Sequence, residues 1–277
     1  MELLDAAVFP SNIYCLVCGA MIDESRPYSL CDECVRKLHW INEGVQPDGS
    51  VQRVCAKCGK ALLPTYQGEY CYDCMTHPHA FTKGFSCLTY GLYERELMMD
   101  LKYNGKSYIA TKMGDILFDR MAGEILAGTD STTPGGLTID LVVPVPVSTG
   151  RLRKRGYNQA ELMARRFVKR WKEAAKTCTE GFAKPPACSG KVLYRCRDTQ
   201  MLRSLNPAER AMAMEGAFAV RASERQKING KNVLLIDDIY TTGATADACS
   251  KALLEGGAAK VYLLTLASGG NRRPGET

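Results

Sequence analysis

Eight cysteines constrain this chain more than any other feature. Cys15, Cys18, Cys31 and Cys34 form the spacing CxxC-x12-CxxC, and Cys55, Cys58, Cys71 and Cys74 form it again, each 40 residues after its counterpart. Four thiolates in two close pairs suit tetrahedral Zn²⁺, so the repeat predicts two structural zinc sites. A disulfide framework is the rival reading, but it belongs to oxidising compartments. A unit of about 40 residues is too short for a self-sufficient apolar core, so metal should supply folding energy.

Gly19 follows Cys18 and Gly59 follows Cys58. In a CxxCG turn the backbone N–H groups face the sulfurs, and glycine relieves the steric cost of a positive φ. Such turns are typical of zinc ribbons. They predict a double zinc ribbon over residues 1–80, with polar residues 42–50 as the linker between its halves. Both quartets are complete, so His39, His77 and His79 are not needed as ligands. Cys178, Cys188 and Cys196 lack ligand spacing. The metal also changes the charge balance. The formal net charge is +6; eight thiolates remove eight charges and two Zn²⁺ restore four, leaving +2. Nucleic-acid binding would therefore have to rest on a local patch.

The second organising stretch starts at Val233: Val-Leu-Leu-Ile-Asp-Asp-Ile-Tyr-Thr-Thr-Gly-Ala-Thr. Four apolar residues read as a buried strand, Asp237 and Asp238 follow where that strand should end, and residues 246–254 have helical spacing. In open α/β sheets, ligands bind beyond the carboxyl ends of strands. Backbone N–H groups, hydroxyls and a helix N-terminus can face a phosphate there. Two carboxylates can take vicinal ribose hydroxyls or hold a metal ion. The pattern predicts a sugar-phosphate site.

Elsewhere, residues 81–93 read as a strand or hairpin, and helical spacing follows from Glu94 to Leu101. Residues 102–106 read as a polar turn, 108–127 as a helix and 128–136 as a loop. Residues 137–147 read as a buried strand that Pro144 and Pro146 place near an edge, or whose pairing they end there. From Arg151 a long helix is expected, with Ala160, Met163, Ala164, Phe167, Val168 and Trp171 on one face. Residues 151–176 hold ten Lys or Arg against Glu161 and Glu173. Arg151, Arg153, Lys154 and Arg155 follow a strand end, where a polyanion is the natural partner. Residues 177–190 read as irregular, 192–195 as a short strand, 260–267 as the last strand and 269–277 as a disordered tail. No run of 18 apolar residues exists, so no membrane insertion is expected. Met1 to Asp5 lack a basic leader, which implies a cytoplasmic protein.

The stretch from Val233 to Thr245 resembles the PRPP motif of type I phosphoribosyltransferases. That resemblance implies an open, mostly parallel α/β sheet flanked by helices over residues 81–277. It implies that Asp237 and Asp238 contact the ribose hydroxyls, and that Thr241, Thr242, Gly243, Ala244 and Thr245 hold the 5′-phosphate, with Mg²⁺ accompanying PRPP. It places a pyrophosphate loop at Ser148, Thr149, Gly150 and Arg151. The RGYNQA segment at residues 155–160, with PVP before it and the PRPP motif after it, is similar to the ComF family of competence proteins. That family joins a zinc module to a phosphoribosyltransferase-like domain. The segment around Arg210 is similar to the family's middle region, although Ala213 stands where such sequences usually carry Asn.

Two functions stay open at this point. One is a PRPP-dependent glycosyltransferase of unknown acceptor, linked to DNA uptake. Thr241 occupies a place where purine enzymes of this type often carry an acid, and a threonine cannot take a proton near neutral pH. The other is a nucleic-acid- or protein-binding adaptor whose PRPP pocket is a sensor or relic. The expected partners are PRPP or another ribose 5-phosphate, single-stranded DNA and other competence proteins.

Overall fold

The structure, a computed structural model, describes residues 13–46, 49–103, 107–129, 137–177, 184–197 and 207–270. Asn104 to Lys106, most of the loop expected at 128–136, Cys178, residues 198–206 and the tail beyond residue 270 lie outside the described residues.

The cysteine repeat survives down to single hydrogen bonds. Gly19 N donates to Cys15 O and Gly59 N to Cys55 O, both at 2.9 Å. Cys15 N donates to Ala20 O and Cys55 N to Lys60 O, both at 2.8 Å. The two glycines have φ of 71° and 73°. Each unit ends in a short helix, α1 (Asp32–Lys37) and α2 (Tyr72–Thr76). The linker carries a two-stranded hairpin, β1 (Gly44–Val45) and β2 (Val51–Gln52).

The main sheet begins with β3 (Lys83–Thr89). Its burial is continuous over five residues rather than alternating, because both of its faces are covered. It is a single strand, not a hairpin. Then come α3 (Leu92–Tyr103), α4 (Ser107–Thr129), β4 (Leu141–Pro144), α5 (Thr149–Arg155), α6 (Gln159–Thr177), β5 (Ala187–Cys188) and β6 (Leu193–Arg195). After these come α7 (Pro207–Met214), β7 (Phe218–Val220), α8 (Arg225–Ile228), β8 (Asn232–Tyr240), α9 (Ala244–Glu255) and β9 (Lys260–Ser268). The sheet order is β3-β9-β8-β4-β5, and every neighbouring pair is parallel. β6 and β7 form a separate antiparallel pair. The sheet is thus open and parallel, with helices packed on both sides.

Strand alternation sorts the core into two layers. Leu234, Ile236, Leu264 and Leu266 face α4 and α6, in the layer that also buries Cys15 and Cys34. Val233, Leu235, Val261 and Leu263 face α9, in the layer that also buries Cys55, Cys58 and Cys71. The double ribbon therefore straddles the outer strand β3, with one cysteine quartet on each side. Its backbone also closes that edge. Gly84 N donates to Lys57 O at 2.7 Å, Ile41 N to Cys87 O at 2.8 Å and Thr89 N to His39 O at 2.8 Å. An open edge would invite pairing with other chains, and here it is capped.

Three expectations are corrected. The long helix expected from Arg151 is two helices. Gly156, with φ 80°, ends α5, and the Asn158 side chain accepts from Ala160 N at 3.1 Å to start α6. Residues 177–190 are not wholly irregular, since Ala187 and Cys188 pair with Leu141 and Val142. Lys102 belongs to the last turn of α3, not to a turn between helices. β4 lies next to the edge strand β5, near the edge as its prolines require; its β5 pairing covers only Leu141 and Val142, while its β8 pairing runs on through Pro144.

Candidate functional site

At the carboxyl end of β8 lies a cavity of about 200 Å³, lined by Asp237, Ile239, Tyr240, the loop residues Thr241 to Thr245, Ala246, Thr265 and Arg210. Every loop residue named from the sequence lines it. Gly243 has φ 84° and stands at the cap of α9, where no side chain caps the helix. The first N–H groups of α9 are thus left to the cavity side. Arg210 enters from α7. It lay in the segment resembling the family's middle region, but nothing in the residues alone marked it as a lining group.

The acidic pair is divided. β8 continues in strand geometry through Tyr240, so Asp237 and Asp238 point to opposite sides of the sheet. Asp237 lines the cavity. Asp238 is buried on the α4 and α6 side, 2.7 Å from Lys102 Nζ, and it accepts from Gln159 Nε2 at 3.1 Å. Burial and the adjacent Asp238 charge push the Asp237 carboxyl well above the usual carboxylate range. Burial also acts on Asp238, but Lys102 and the Gln159 hydrogen bond outweigh it and hold that carboxyl below the usual range. The two carboxyls titrate as one coupled pair.

The RGYNQA segment ties separate elements together. Arg155 Nη1 donates to Gln159 Oε1 at 3.0 Å, which continues the chain to Asp238 and Lys102. Tyr157 Oη donates to Leu101 O at 2.6 Å, and Asn158 Nδ2 to Val145 O at 3.0 Å. Four consecutive polar side-chain positions are thus engaged within the protein, apart from Gly156. Arg151, Arg153 and Lys154 are exposed, and none forms an ion pair among the described residues. Ser148 caps α5 by accepting from Arg151 N at 3.3 Å. The expected pyrophosphate loop is therefore the first turn of a short helix, and no residue from Ser148 to Arg155 lines the cavity.

The two cysteine quartets each bring four sulfurs within 4.8 Å of one another. Cys18 and Cys31 sulfurs are 3.7 Å apart, and those of Cys58 and Cys71 3.6 Å. A tetrahedral Zn²⁺ with bonds of about 2.3 Å requires sulfur separations of about 3.8 Å, so the donor sets fit that ion. Backbone donors also face the sulfurs: Cys31 N lies 3.4 Å from Cys15 Sγ, and Cys71 N lies 3.1 Å from Cys55 Sγ. None of the three histidines joins either quartet. No helix among the described residues is long and apolar enough to cross a membrane.

Residues 4–75 match the family described as a double zinc ribbon domain. Competence protein ComFC of Bacillus subtilis is 31% identical over 272 residues, covering 92% of this chain and 95% of that protein. Competence protein F of Haemophilus influenzae is 24% identical over 243 residues, covering 86% and 96%. DNA utilization protein YhgH of Salmonella typhimurium is 26% identical over 240 residues, covering 86% and 94%. Among solved structures, the glutamine PRPP amidotransferase from B. subtilis complexed with ADP and GMP matches 60% of this chain at a TM-score of 0.33 and 17% identity. This chain spans 30% of that one's length.

Proposed function

The chain belongs to the family of competence protein ComFC, and from that premise we propose that it binds PRPP or another ribose 5-phosphate at the end of β8 in the service of DNA uptake. The observation that supports this most is the cavity itself, where all five small loop residues and one carboxylate converge on an uncapped helix start. The 5′-phosphate would sit against the N–H groups of residues 243–246, and the ribose hydroxyls against Asp237. Mg²⁺ would accompany the diphosphate and neutralise it. Zn²⁺ would occupy both cysteine quartets and supply folding energy there.

Titrating Mg-PRPP into the zinc-loaded protein tests the reading. Heat and a rise in unfolding temperature are expected; neither appearing would sink it. Gly243→Val should abolish the response. A side chain at this φ costs about 1–2 kcal/mol. Its Cβ would lie 2.6 Å from both His79 Cε1 and Tyr240 Oη, which adds about 1–3 kcal/mol of crowding. Unfolding of the variant should move down by roughly 5–10 °C, with no Mg-PRPP heat. Pyrophosphate release with an acceptor would establish a phosphoribosyl transfer; binding without release would leave the pocket as a sensor.

A second reading rests on Arg151, Arg153 and Lys154, three exposed cations on one short helix after β4. They suit a polyanion, and single-stranded DNA is the proposed one. Affinity should then fall steeply with salt, because bound phosphates release counterions. Replacing the three cations and Arg155 with Gln should flatten the slope of log affinity against log salt by about 3. An unchanged slope would make α5 a solvated turn.

A further inference from the structure

The cavity and the second cysteine quartet touch through a short run of side chains. Tyr240 lines the cavity and is 2% exposed. Its hydroxyl lies 3.0 Å from His79 Nε2. His79 stacks on Phe81 with ring centroids 5.0 Å apart, and Phe81 meets Tyr240 edge-on at 6.2 Å. Lys60 Nζ lies 5.2 Å over the Tyr240 ring and 2.5 Å from Asp73 Oδ2. Lys60 and Asp73 belong to the second ribbon itself, beside Cys58, Cys71 and Cys74. The His79 and Tyr240 rings also pack against Gly243, whose missing Cβ leaves the space they fill. Beyond the loop, Asp247 in the first turn of α9 accepts from Ala80 N at 2.6 Å.

Among the described residues the first ribbon has no such arrangement. The counterpart of Lys60, 40 residues earlier, is Ala20, which is exposed. Lys60 is 2% exposed. A lysine so deeply buried requires partners, and it finds them in an acid and a ring on the route to the loop. The first quartet instead lies on the opposite side of the sheet, in the layer of α4 and α6.

We propose that His79 and Tyr240 are positioning residues that couple the second cysteine quartet to the phosphate loop. Metal at Cys55, Cys58, Cys71 and Cys74 thereby holds residues 241–246 in their ligand-ready shape, and metal at the first quartet does not. The inference rests on the cavity being a ribose 5-phosphate site. Its direct content, metal-dependent order of the loop, can be read without any ligand. Linkage makes it reciprocal: a ligand in the cavity slows loss of the second ion and not of the first.

Hydrogen–deuterium exchange on the full chain, followed at residues 241–248, tests it. Cys55→Ser should speed exchange there about tenfold, and Cys15→Ser should leave it unchanged. Tyr240→Leu should reproduce the acceleration while elemental analysis still finds two zinc ions. Equal acceleration by the two cysteine variants would overturn the proposal, and so would unchanged exchange in Tyr240→Leu with both ions bound. If Cys55→Ser does not fold, Tyr240→Leu and Lys60→Met, each with two ions bound, decide the question on the same readout. Wild-type calorimetry with Mg-PRPP separates the two claims. Metal-dependent exchange without heat defeats the ligand reading alone, and heat without metal-dependent exchange defeats the coupling alone.

Discussion

Cys55→Ser is expected to bind one zinc ion where the wild type binds two, and to unfold at a far lower temperature than the wild type. The scale follows from what the metal supplies. Structural zinc contributes about 10–16 kcal/mol to the folding of small metal modules, comparable to the whole stability of a typical domain at about 5–15 kcal/mol. From the sequence alone, the loss should stay within the N-terminal module. The packing spreads it further. Cys55, Cys58 and Cys71 share an apolar layer with Phe81, Tyr240 and Ala246 and with β8 and β9 residues. Gly59 and Gly84 meet backbone to backbone, so closely that a Cβ on Gly59 would lie 2.6 Å from Gly84 O. Disordering the second ribbon thus uncovers β3 and one side of the sheet. Cys15→Ser should also cost one ion, and its damage should fall on the α4 side, where Tyr28 Oη donates to Asp119 at 2.7 Å. Elemental analysis and thermal unfolding on freshly reduced protein check both. Two ions retained in Cys55→Ser would refute the ligand assignment.

The second large effect concerns the divided acidic pair. Asp238→Asn should destabilise the protein by about 3–5 kcal/mol, because it strands Lys102 beside an uncharged group in a mostly buried place. In a chain of this size that is a fall of roughly 10 °C. Asp237→Asn should leave stability unchanged or raise it slightly, while weakening ribose binding. The pH dependence has opposite signs at the two positions. Asp238 titrates below its unfolded value, so its contribution is present above the unfolded pKa and is lost as pH falls through the folded one. Asp237 titrates above its unfolded value, so the folded state holds that proton more tightly. Its presence therefore lowers stability as pH rises from the unfolded pKa towards the folded one. Asp237→Asn should remove that decline. Equal destabilisation by the two substitutions would mean that both carboxylates share one environment.

Much of this was legible in the sequence. The cysteine quartets announce themselves because metal geometry fixes spacing within each turn, whatever the fold around it. The loop at 241–245 was legible because small residues, a glycine and a helix start occur together. The apolar face of α6 followed from its period, and Met163, Phe167 and Trp171 are all buried. What failed to show were properties of register. Reading Asp237 and Asp238 as a pair assumed that the strand ended before them. β8 runs on to Tyr240, and alternation sends them to opposite sides. Lys102 looked like part of a turn because its partner lies on a distant strand. β5 pairs only two residues, too few for any pattern. His79 was set aside as a ligand and joins neither quartet, yet its neighbours Tyr240 and Asp247 are far away in the chain and gave no local signal.

Because β3 pairs with β9, the strand at residues 83–89 leaves the ribosome long before its partner at 260–268 exists. At ~5–20 residues per second the wait is on the order of ten seconds or more. During that time one side of β3 already has company: residues 39–41 and Lys57 of the ribbons supply its hydrogen bonds. Metal capture early in synthesis would let the ribbons shelter a bare apolar strand until the last one arrives. A cell short of zinc would then lose this protein first as a nascent chain, through aggregation, before any finished molecule lost its metal.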